Sequence, residues 1–520
     1  MTKSMYKKVG IASLIMMSSV FLSRVFGIVR EMIIAYLAGT SSSVDAYQIS
    51  FIIPEILNHV LASGFLSITF IPIFTKYLSA NKEEEAWRTF SNIMCSFSLL
   101  LLVLAFFAIF FTGEIIAITG ITDPVVVADA IRMTRIIIPA QLFFFMGGLL
   151  MAVQFANERF LIPALAPLVY NGSIILSGLF LFPLIGMEGF SWGVLIGAFL
   201  GNFGIQWIGA KKIGMKLKWH FNFKHPDLRK YIALTLPLML GLTVTFSTEI
   251  FPKVFGSYLS SGSVASFNYG LRIMFLLVGL FGQAVGVASY PYLSQLAAKN
   301  KIDEMNNLLN TTLRHIALVI PFSILIVVLR VEIVSLIFQR GRFDISSTNM
   351  TANILVCLMI GAFGFTAQTI VNRGYYALQN TLFPTIYVSA AVILTLPLYY
   401  LGMQQMGIYG VALALSVSTI TQVVLLFIMW NRKSGNTGSR SVYLAYLKII
   451  VLSVIDGALL YFAKEVLLSG VPSTTLIGCL INLICISILF CIVTILLAYI
   501  FRVKEIFEVT DKVIRKLKRQ

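Results

Sequence analysis

The chain has 520 residues, of which 58% are hydrophobic and 12% charged, and its mean hydropathy is +0.90. A soluble domain cannot bury that much apolar surface, so the composition excludes a soluble protein and predicts an all-α polytopic membrane protein. The formal net charge of +17 would suit a nucleic-acid partner, but the positions of the charges indicate a different reason for it.

Apolar segments of membrane-spanning length follow one another along the chain, and we count about fourteen. The first begins after Lys3, Lys7 and Lys8 and superficially resembles a signal peptide. No small-residue cleavage site follows it, so we interpret it as a retained first helix. The approximate spans are 10–37, 44–75, 90–112, 130–155, 160–183, 190–210, 229–258, 263–292, 308–336, 346–376, 384–402, 406–430, 444–463 and 474–501.

The basic residues lie mainly in the loops on one side of the predicted segments. If the N-terminus is cytoplasmic, the cytoplasmic loops and tails hold 26 of the 39 Lys and Arg, and the outside loops hold three. Cytoplasmic loops of membrane proteins carry this excess of positive charge, so both termini are predicted to be cytoplasmic. This asymmetry accounts for the basic composition, and we expect no nucleic-acid partner.

The longest loop, 211–228, is basic and separates the first twelve segments into two groups of six. We therefore predict an N-lobe (1–210, helices 1–6), a cytoplasmic linker loop (211–228) and a C-lobe (229–432, helices 7–12). Helices 13 and 14 (433–503) form an appended pair, and a basic cytoplasmic tail (504–520) follows.

The two predicted lobes show internal similarity. Ala156 and Pro163 recur as Ala377 and Pro384, in both cases 221 residues later. Two other matches have offsets of 219 and 220, which indicates a duplication. With six helices in each half, the repeats run parallel, as in transporters that hold a substrate between two lobes.

Arginines lie inside the apolar segments of both predicted lobes. Arg24 and Arg30 are in segment 1, and Arg272 is in segment 8. A charge near the bilayer centre costs about 3 kcal/mol or more, so it is usually kept for a role in a watery cavity. Because arginine binds phosphate in a bidentate fork, these three residues predict a site for an anionic, pyrophosphate-bearing passenger.

Other polar residues within the segments are candidates for lining the cavity or for coupling. Arg24 shares a helical face with Glu31, whereas Arg30 points about 120° away from Arg24. His59 can be read either as a hydrogen-bonded interior histidine or as a proton carrier. The candidates are Glu31, Asp45, Glu55, Asn58, His59, Asn268 and Gln283.

Three further sites of charge are open to more than one reading. Arg330 and Glu332 lie near an outer boundary and are expected to pair. Arg373, near the inner end of segment 10, is ambiguous, and Asp456 lies deep in segment 13 without an obvious partner. The five cysteines lack metal-ligand spacing with histidine, so neither a metal nor another cofactor is expected.

The segment 23–31, Ser-Arg-Val-Phe-Gly-Ile-Val-Arg-Glu, resembles the segment-1 signature of the MurJ/MviN family, the lipid II flippases of bacterial cell-wall synthesis. The match is collinear over about the first 430 residues. Further matching stretches are 44–47, 51–57, 70–73, 157–164, 261–264 and 338–343.

The resemblance implies a fourteen-helix fold with two six-helix lobes, two extra C-terminal helices and a V-shaped central cavity. It also implies that Arg24, Arg30 and Arg272 bind the pyrophosphate of an undecaprenyl-linked disaccharide-pentapeptide. The family often has an Arg pair where this chain has Asn58 and His59. Some members use acidic residues for sodium, but this chain has none between 384 and 430, so we do not expect that sodium site.

We therefore expect an alternating-access transporter of the bacterial inner membrane that moves lipid II from the inner to the outer leaflet. Its partners would be lipid II, bilayer lipids and other cell-wall synthesis proteins. The alternatives are a flippase for another polyprenyl-linked oligosaccharide, as for O-antigen, capsule or teichoic-type polymers, or a MATE-type drug exporter. An enzyme is disfavoured because the predicted outside loops are short and nearly uncharged.

Overall fold

The computed structural model describes residues 3–59, 65–117, 119–121, 123–239, 246–380 and 382–508. These residues form helices and connecting loops, and no strand occurs among them. The chain divides into two compact units. Unit 1 comprises residues 1–242 and 260–262, and unit 2 comprises residues 243–259 and 263–520.

Unit 1 contains twelve α-helices among its described residues, and one π-helical stretch, Ala198–Gly204, lies between the tenth and the eleventh. The helices are α1 Lys3–Ala38, α2 Ser42–Ile49, α3 Ile52–Leu57, α4 Phe65–Ser79, α5 Glu83–Phe110, α6 Thr112–Ala117, α7 Pro124–Ile137, α8 Ala140–Ala156, α9 Leu161–Ile185, α10 Glu188–Gly197, α11 Ile205–Lys212 and α12 Pro226–Met239.

Unit 2 contains eleven α-helices in the described part of the chain, with π-helical turns at Phe246–Ile250 and Gly279–Gln283. The helices are α13 Phe251–Gly256, α14 Ser263–Val278, α15 Ala284–Ala298, α16 Ile302–Ile316, α17 Val319–Val328, α18 Arg330–Phe338, α19 Ile345–Ala377, α20 Leu382–Met406, α21 Ile408–Ser434, α22 Ser439–Leu467 and α23 Leu476–Phe501.

The prediction of an all-α polytopic membrane protein is confirmed. Within the described ranges, 11 helical stretches are long and apolar enough to cross a membrane. The longest predicted segment of the second half, 346–376, corresponds to α19 almost residue for residue. The predicted count of fourteen segments is consistent with this arrangement.

Segment 2 is more broken than the sequence indicates. The sequence predicts one continuous span over 44–75, but α2 ends at Ile49 and α3 begins at Ile52, before Pro54. Pro54 has no N–H with which to bond the carbonyl group of Ser50, so the helical ladder fails one turn before the proline itself. The segment then continues as α4.

The linker loop, 211–228, runs alongside α5 and is held to it by side chain–backbone hydrogen bonds. Asn92 accepts from the backbone N–H of Asn222 at 2.7 Å and donates to the carbonyl oxygen of Asn222 at 3.0 Å. Ser91 accepts from the backbone N–H of Lys218 at 3.1 Å. These bonds give polar partners to a stretch of backbone that has no regular secondary structure.

Each unit has its own aromatic core. In unit 1, Phe74 and Trp87 stack edge to face with ring centroids 5.2 Å apart. In unit 2, Tyr375 and Trp430 do the same at 5.1 Å, and the indole N–H of Trp430 donates to Asn306 at 3.0 Å. The buried polar end of Trp430 is therefore satisfied, and its ring fixes α19 against α21.

The C-terminal helix pair, α22 and α23, is held to the rest of unit 2 by a buried ion pair. The Lys464 Nζ of α22 lies 2.6 Å from the Glu332 Oε1 of α18, and Asn482 of α23 donates to the same oxygen at 3.1 Å. We expected Glu332 to pair with Arg330, but among the described residues its ionic partner is Lys464. Arg330 instead donates to the carbonyl oxygen of Val327 at 3.1 Å.

Candidate functional site

Arg30 is held where α1 packs against α9. Its Nη2 lies 2.7 Å from Glu31 Oε1, and its Nη1 donates to Asn171 Oδ1 at 3.2 Å. The Arg30 side chain is 16% exposed and that of Glu31 only 2%. Asn171 in turn donates to the carbonyl oxygen of Pro167, so the position of its amide oxygen is set by α9 itself. The structure thus brings together two of the predicted site residues, Arg30 and Glu31.

Arg24 lies six residues before Arg30 on α1 and is partly buried. Gly27 shares its face, and a Cβ placed there would meet no atom within 4 Å. Space is therefore open beside this face of α1. Most residues of α1 that point away from this face between Met17 and Val29 are exposed and apolar, as expected of a helix bounded by lipid.

Asp45, at the start of α2, receives a hydrogen bond from the chain far along the sequence. Its Oδ2 accepts from the backbone N–H of Gly262 at 2.5 Å, and its side chain is 6% exposed. Gly262 has a φ of +88°, and a Cβ there would lie 2.6 Å from the carbonyl oxygen of Thr40. Only glycine fits both the backbone conformation and the close approach.

Glu55, Asn58 and His59 follow Asp45 in the broken second segment and are all partly buried. The ring nitrogen Nδ1 of His59 lies 3.0 Å from the carbonyl oxygen of Glu55. A carbonyl oxygen only accepts, so Nδ1 carries the proton in this contact. This arrangement leaves both readings of His59 possible, as an interior histidine or as a proton carrier.

In unit 2, Asn268 and Arg272 lie one turn apart on α14, which packs against α19. Asn268 is 5% exposed and Arg272 is partly buried. Gln283 ends the π-helical turn Gly279–Gln283, and its side chain lies outside the described residues. A Cβ at Gly270 would lie 3.3 Å from Leu358, so the backbone of α14 closely approaches α19 just before Arg272.

A neutral polar network fills the interior of unit 2. Gln422 on α21 donates to Ser247 at 3.3 Å and to Ser418 at 3.1 Å, and it accepts from Gln368 of α19 at 3.1 Å. Thr395 of α20 lies 2.7 Å from Ser418. Buried amides and hydroxyls that satisfy one another in this way do not require a bound cation. Within the described ranges, no group of His, Cys, Asp and Glu could hold a metal ion.

The comparison with known families decides the membership of this chain. The sequence model of the lipid II flippase MurJ family matches residues 34–481. The chain belongs to this family. A probable lipid II flippase MurJ of Thermotoga maritima is 31% identical over 415 residues, which cover 78% of this chain and 82% of that protein. Lipid II flippase MurJ of Burkholderia cenocepacia is 27% identical over 417 residues, covering 78% and 81%.

A solved structure of the same family also matches this chain. A lipid II flippase MurJ in an inward closed conformation aligns with a TM-score of 0.77 and 25% identity, over 94% of this chain and 98% of that one. An inward-facing MATE family multidrug transporter aligns with a TM-score of 0.67 over 79% and 94%. Its identity is only 13%, so it shares the fold, and that similarity carries no function.

Sequence reasoning found the charged residues of this MurJ family member but missed the neutral polar residues beside Arg30 and in the interior of unit 2. Asn171, Gln422 and Ser247 carry no charge, and in an apolar segment such residues are usually read as helix-packing contacts. A weak signal was present for Gln422, because Gln368 and Gln422 are the only glutamines in the predicted segments 346–376 and 406–430. The roles of the predicted pyrophosphate ligands Arg24, Arg30 and Arg272 stay predictions.

Proposed function

We propose that this chain is a lipid II flippase, which moves an undecaprenyl-pyrophosphate-linked disaccharide-pentapeptide from the inner to the outer leaflet for peptidoglycan synthesis. The family membership carries this proposal, and arginines within the membrane-spanning helices of both units support it. The protein is a multi-pass membrane transporter and acts on its substrate without covalent chemistry.

Arg24 and Arg272 are proposed to bind the pyrophosphate, because a guanidinium group offers paired N–H donors that match two phosphate oxygens. Arg30 is proposed to contact the pyrophosphate mainly by directed hydrogen bonds. The carboxylate of Glu31 already balances its charge at 2.7 Å, so Arg30 presents directed N–H groups more than net charge. Glu31 and Asn171 would then act as positioning residues for Arg30.

Asp45 is proposed to take part in the transport cycle. Transporters built from such repeats expose their substrate to one side and then to the other. The contact of residues 260–262 with Asp45 joins two parts of the chain that are more than 200 residues apart, and it includes a charge-assisted hydrogen bond. A charge-assisted hydrogen bond contributes about 1.5 to 3 kcal/mol, so it can be made and broken within a transport cycle.

Several finer features belong to the same proposal. We place both termini in the cytoplasm because of the positive charge of the predicted inner loops. The lobes would comprise residues 1–210 and 229–432, and enzymes of cell-wall synthesis that make or consume lipid II would be partners. Glu55, Asn58, His59, Asn268 and Gln283 stay candidates for cavity lining or coupling.

The competing transporter functions differ in the charge that they require. A MATE-type exporter of cationic drugs would use carboxylates as its principal ligands, whereas three of the membrane-embedded candidates here are arginines. A flippase for another polyprenyl-linked glycan would use the same arginines, since the pyrophosphate is shared. Only the headgroup distinguishes that function from lipid II transport.

Complementation tests the proposal directly. A bacterium depleted of its lipid II flippase should be rescued by this chain, and Arg24→Ala or Arg272→Ala should abolish rescue. Loss of a charge-assisted, bidentate contact weakens binding by about tenfold to a hundredfold. Arg132→Ala is the matched control, because Arg132 is 62% exposed and pairs with Asp129 and Glu188. Failure of the well-expressed parent chain to rescue would favour another glycan lipid.

A further inference from the structure

Arg373 is a membrane-embedded arginine that the function proposed above does not use. It lies four residues before the end of α19 at Ala377. Its side chain crosses to α15, where the guanidinium carbon is 5.8 Å from the centre of the Tyr290 ring. A Cβ at Gly286 would lie 2.7 Å from Arg373 Nε, so the absence of a side chain at Gly286 makes room for the arginine.

The guanidinium group of Arg373 has no hydrogen-bonding or ionic partner among the residues that the structure describes. Its Nε is buried and bonded to nothing there, and the residue as a whole is partly buried. An arginine side chain has five N–H donors and keeps its positive charge, because it does not lose its proton in proteins. A charge placed in this way either meets water or binds an anion that is supplied from outside the chain.

The direction of the side chain argues against snorkelling to the nearest membrane surface. Helical side chains lean toward the N-terminus of their helix, which for Arg373 is away from the nearby end of α19. Its contacts on α15 lie eight and twelve residues before Ala298, or about 12 to 18 Å from the end of that helix. A snorkelling arginine extends the opposite way, toward water.

Packing does not require an arginine at this position. The spans Pro124–Ala156 and Ile345–Ala377 both contain 33 residues and are offset by 221 at each end. The counterpart of Arg373 in unit 1 is therefore Ala152, which is 0% exposed. In unit 2, Arg373 is also the only charged residue of the sequence between 345 and 430, a stretch that contains three membrane-spanning helices.

We infer that Arg373, with its guanidinium carbon held over the Tyr290 ring, forms a phosphate-binding site at the inner end of unit 2. A cation–π contact with the ring uses none of the guanidinium N–H groups, so they stay available for a bidentate contact with phosphate. This inference rests on the flippase function proposed above. The ligand is then the pyrophosphate of the polyprenyl carrier when the substrate first enters from the inner leaflet. Arg272 lies fourteen residues before Gly286 on the same segment, about 21 Å away. Arg272 therefore belongs to a second binding position, nearer the outer side of the membrane.

The test measures ligand-induced stabilisation of the full-length protein in phosphatidylcholine nanodiscs. Undecaprenyl pyrophosphate is titrated in one arm and phosphatidylglycerol in the other, with the parent chain, Arg373→Gln and Arg373→Lys. Arg373→Gln should weaken the apparent affinity for undecaprenyl pyrophosphate by about tenfold. Arg373→Lys should recover part of it, because lysine keeps the charge and loses the fork.

Arg314→Gln is the matched control, because Arg314 lies near the same side of the membrane and faces Glu505 at 3.7 Å. Gly286→Ala supplies a second perturbation that leaves the charge in place: its Cβ would displace the guanidinium and should weaken binding in the same direction. This variant also keeps the site testable if Arg373→Gln does not insert.

Two results would overturn the inference. Unchanged affinity for undecaprenyl pyrophosphate in Arg373→Gln and Gly286→Ala would leave Arg373 a packing residue. A loss confined to the phosphatidylglycerol arm would make it a contact for bilayer lipid. Arg272→Gln in the same assay separates the two proposals. If it weakens binding and the Arg373 variants do not, the flippase function stands and the inner site fails.

Discussion

Removal of Lys464 should loosen the C-terminal helix pair from the rest of unit 2. The Nζ of Lys464 lies 2.6 Å from Glu332 Oε1 and also donates to the carbonyl oxygen of Val328 at 3.2 Å. The Glu332 side chain is 0% exposed and that of Lys464 is 15% exposed. Lys464→Met keeps the apolar stem but leaves a buried carboxylate with Asn482 as its remaining donor from α23.

The size of the effect follows from the burial of the pair. Loss of one partner of a buried ion pair costs about 3 to 5 kcal/mol, because the other charge stays buried without compensation. Lys464 keeps some contact with water, so we expect the lower end, about 3 kcal/mol. That corresponds to about a hundredfold increase in the population in which α22 and α23 are detached.

Limited proteolysis of the loop between α22 and α23 measures this population in the purified protein, since cleavage of a transiently opened segment tracks its equilibrium opening. Lys448→Met is the control, because Lys448 is exposed on the same helix. The double variant Glu332→Gln with Lys464→Met should recover most of the loss, because two neutral residues leave no buried charge. Equal cleavage of the Lys464 and Lys448 variants, or additive losses in the double variant, would refute this reasoning.

Three further predictions concern other parts of the chain. Gly262→Ala should cost about 1 to 3 kcal/mol and reduce flipping, because its φ is +88° and a Cβ would collide with the turn before α2. Gly214→Ala, with a φ of +86° and open space around it, should reduce flipping much less, and equal losses would contradict the role of the collision. Asp344 caps α19 by accepting from the N–H of Ser347 at 2.8 Å, and this bond holds the pKa of Asp344 below its ordinary value. The cap therefore stabilises the fold above the unfolded pKa of about 4, and this stabilisation is lost as the pH falls through the lower folded pKa. Asp344→Ala should cost about 1 kcal/mol at pH 7 and nothing in strong acid. Thermal unfolding at the two pH values can measure this difference. Replacement of Na⁺ by K⁺ should leave the flipping rate of reconstituted vesicles unchanged, because the network around Gln422 is uncharged, and a rate that requires Na⁺ would contradict this expectation.

The membrane-spanning helices could be predicted because their signal is local. About twenty consecutive apolar residues are enough to identify a span, and α19, α20 and α21 each extend only a few residues beyond the predicted segments. The break between α2 and α3 could not be placed, because the residues at the break are not helix breakers. Pro54 acts on the backbone one turn away from itself.

The partners of charged residues could not be predicted, because they depend on how distant helices are aligned. Glu332 and Lys464 are 132 residues apart, and their contact is set by the depth at which α22 packs against unit 2. A pair within one helix, Arg330 and Glu332, is the obvious choice from sequence and was wrong. Arg30 and Glu31 are adjacent and point about 100° apart on a helix, yet their long side chains bend to meet beside α9.

The two repeated spans keep their length but differ in where they carry charge. The unit 1 span Pro124–Ala156 has its charges near one end, where Arg132 pairs with Asp129 and Glu188 and is largely exposed. The unit 2 span Ile345–Ala377 has lost those charges and gained Arg373 near the other end, where the described residues offer it no counter-charge. Both arrangements are accommodated in a helical span of 33 residues, so helix packing does not account for the difference. A self-neutralised cluster at a membrane surface is explained by solvation alone, whereas an unneutralised cation inside the membrane is costly unless an anion comes to it.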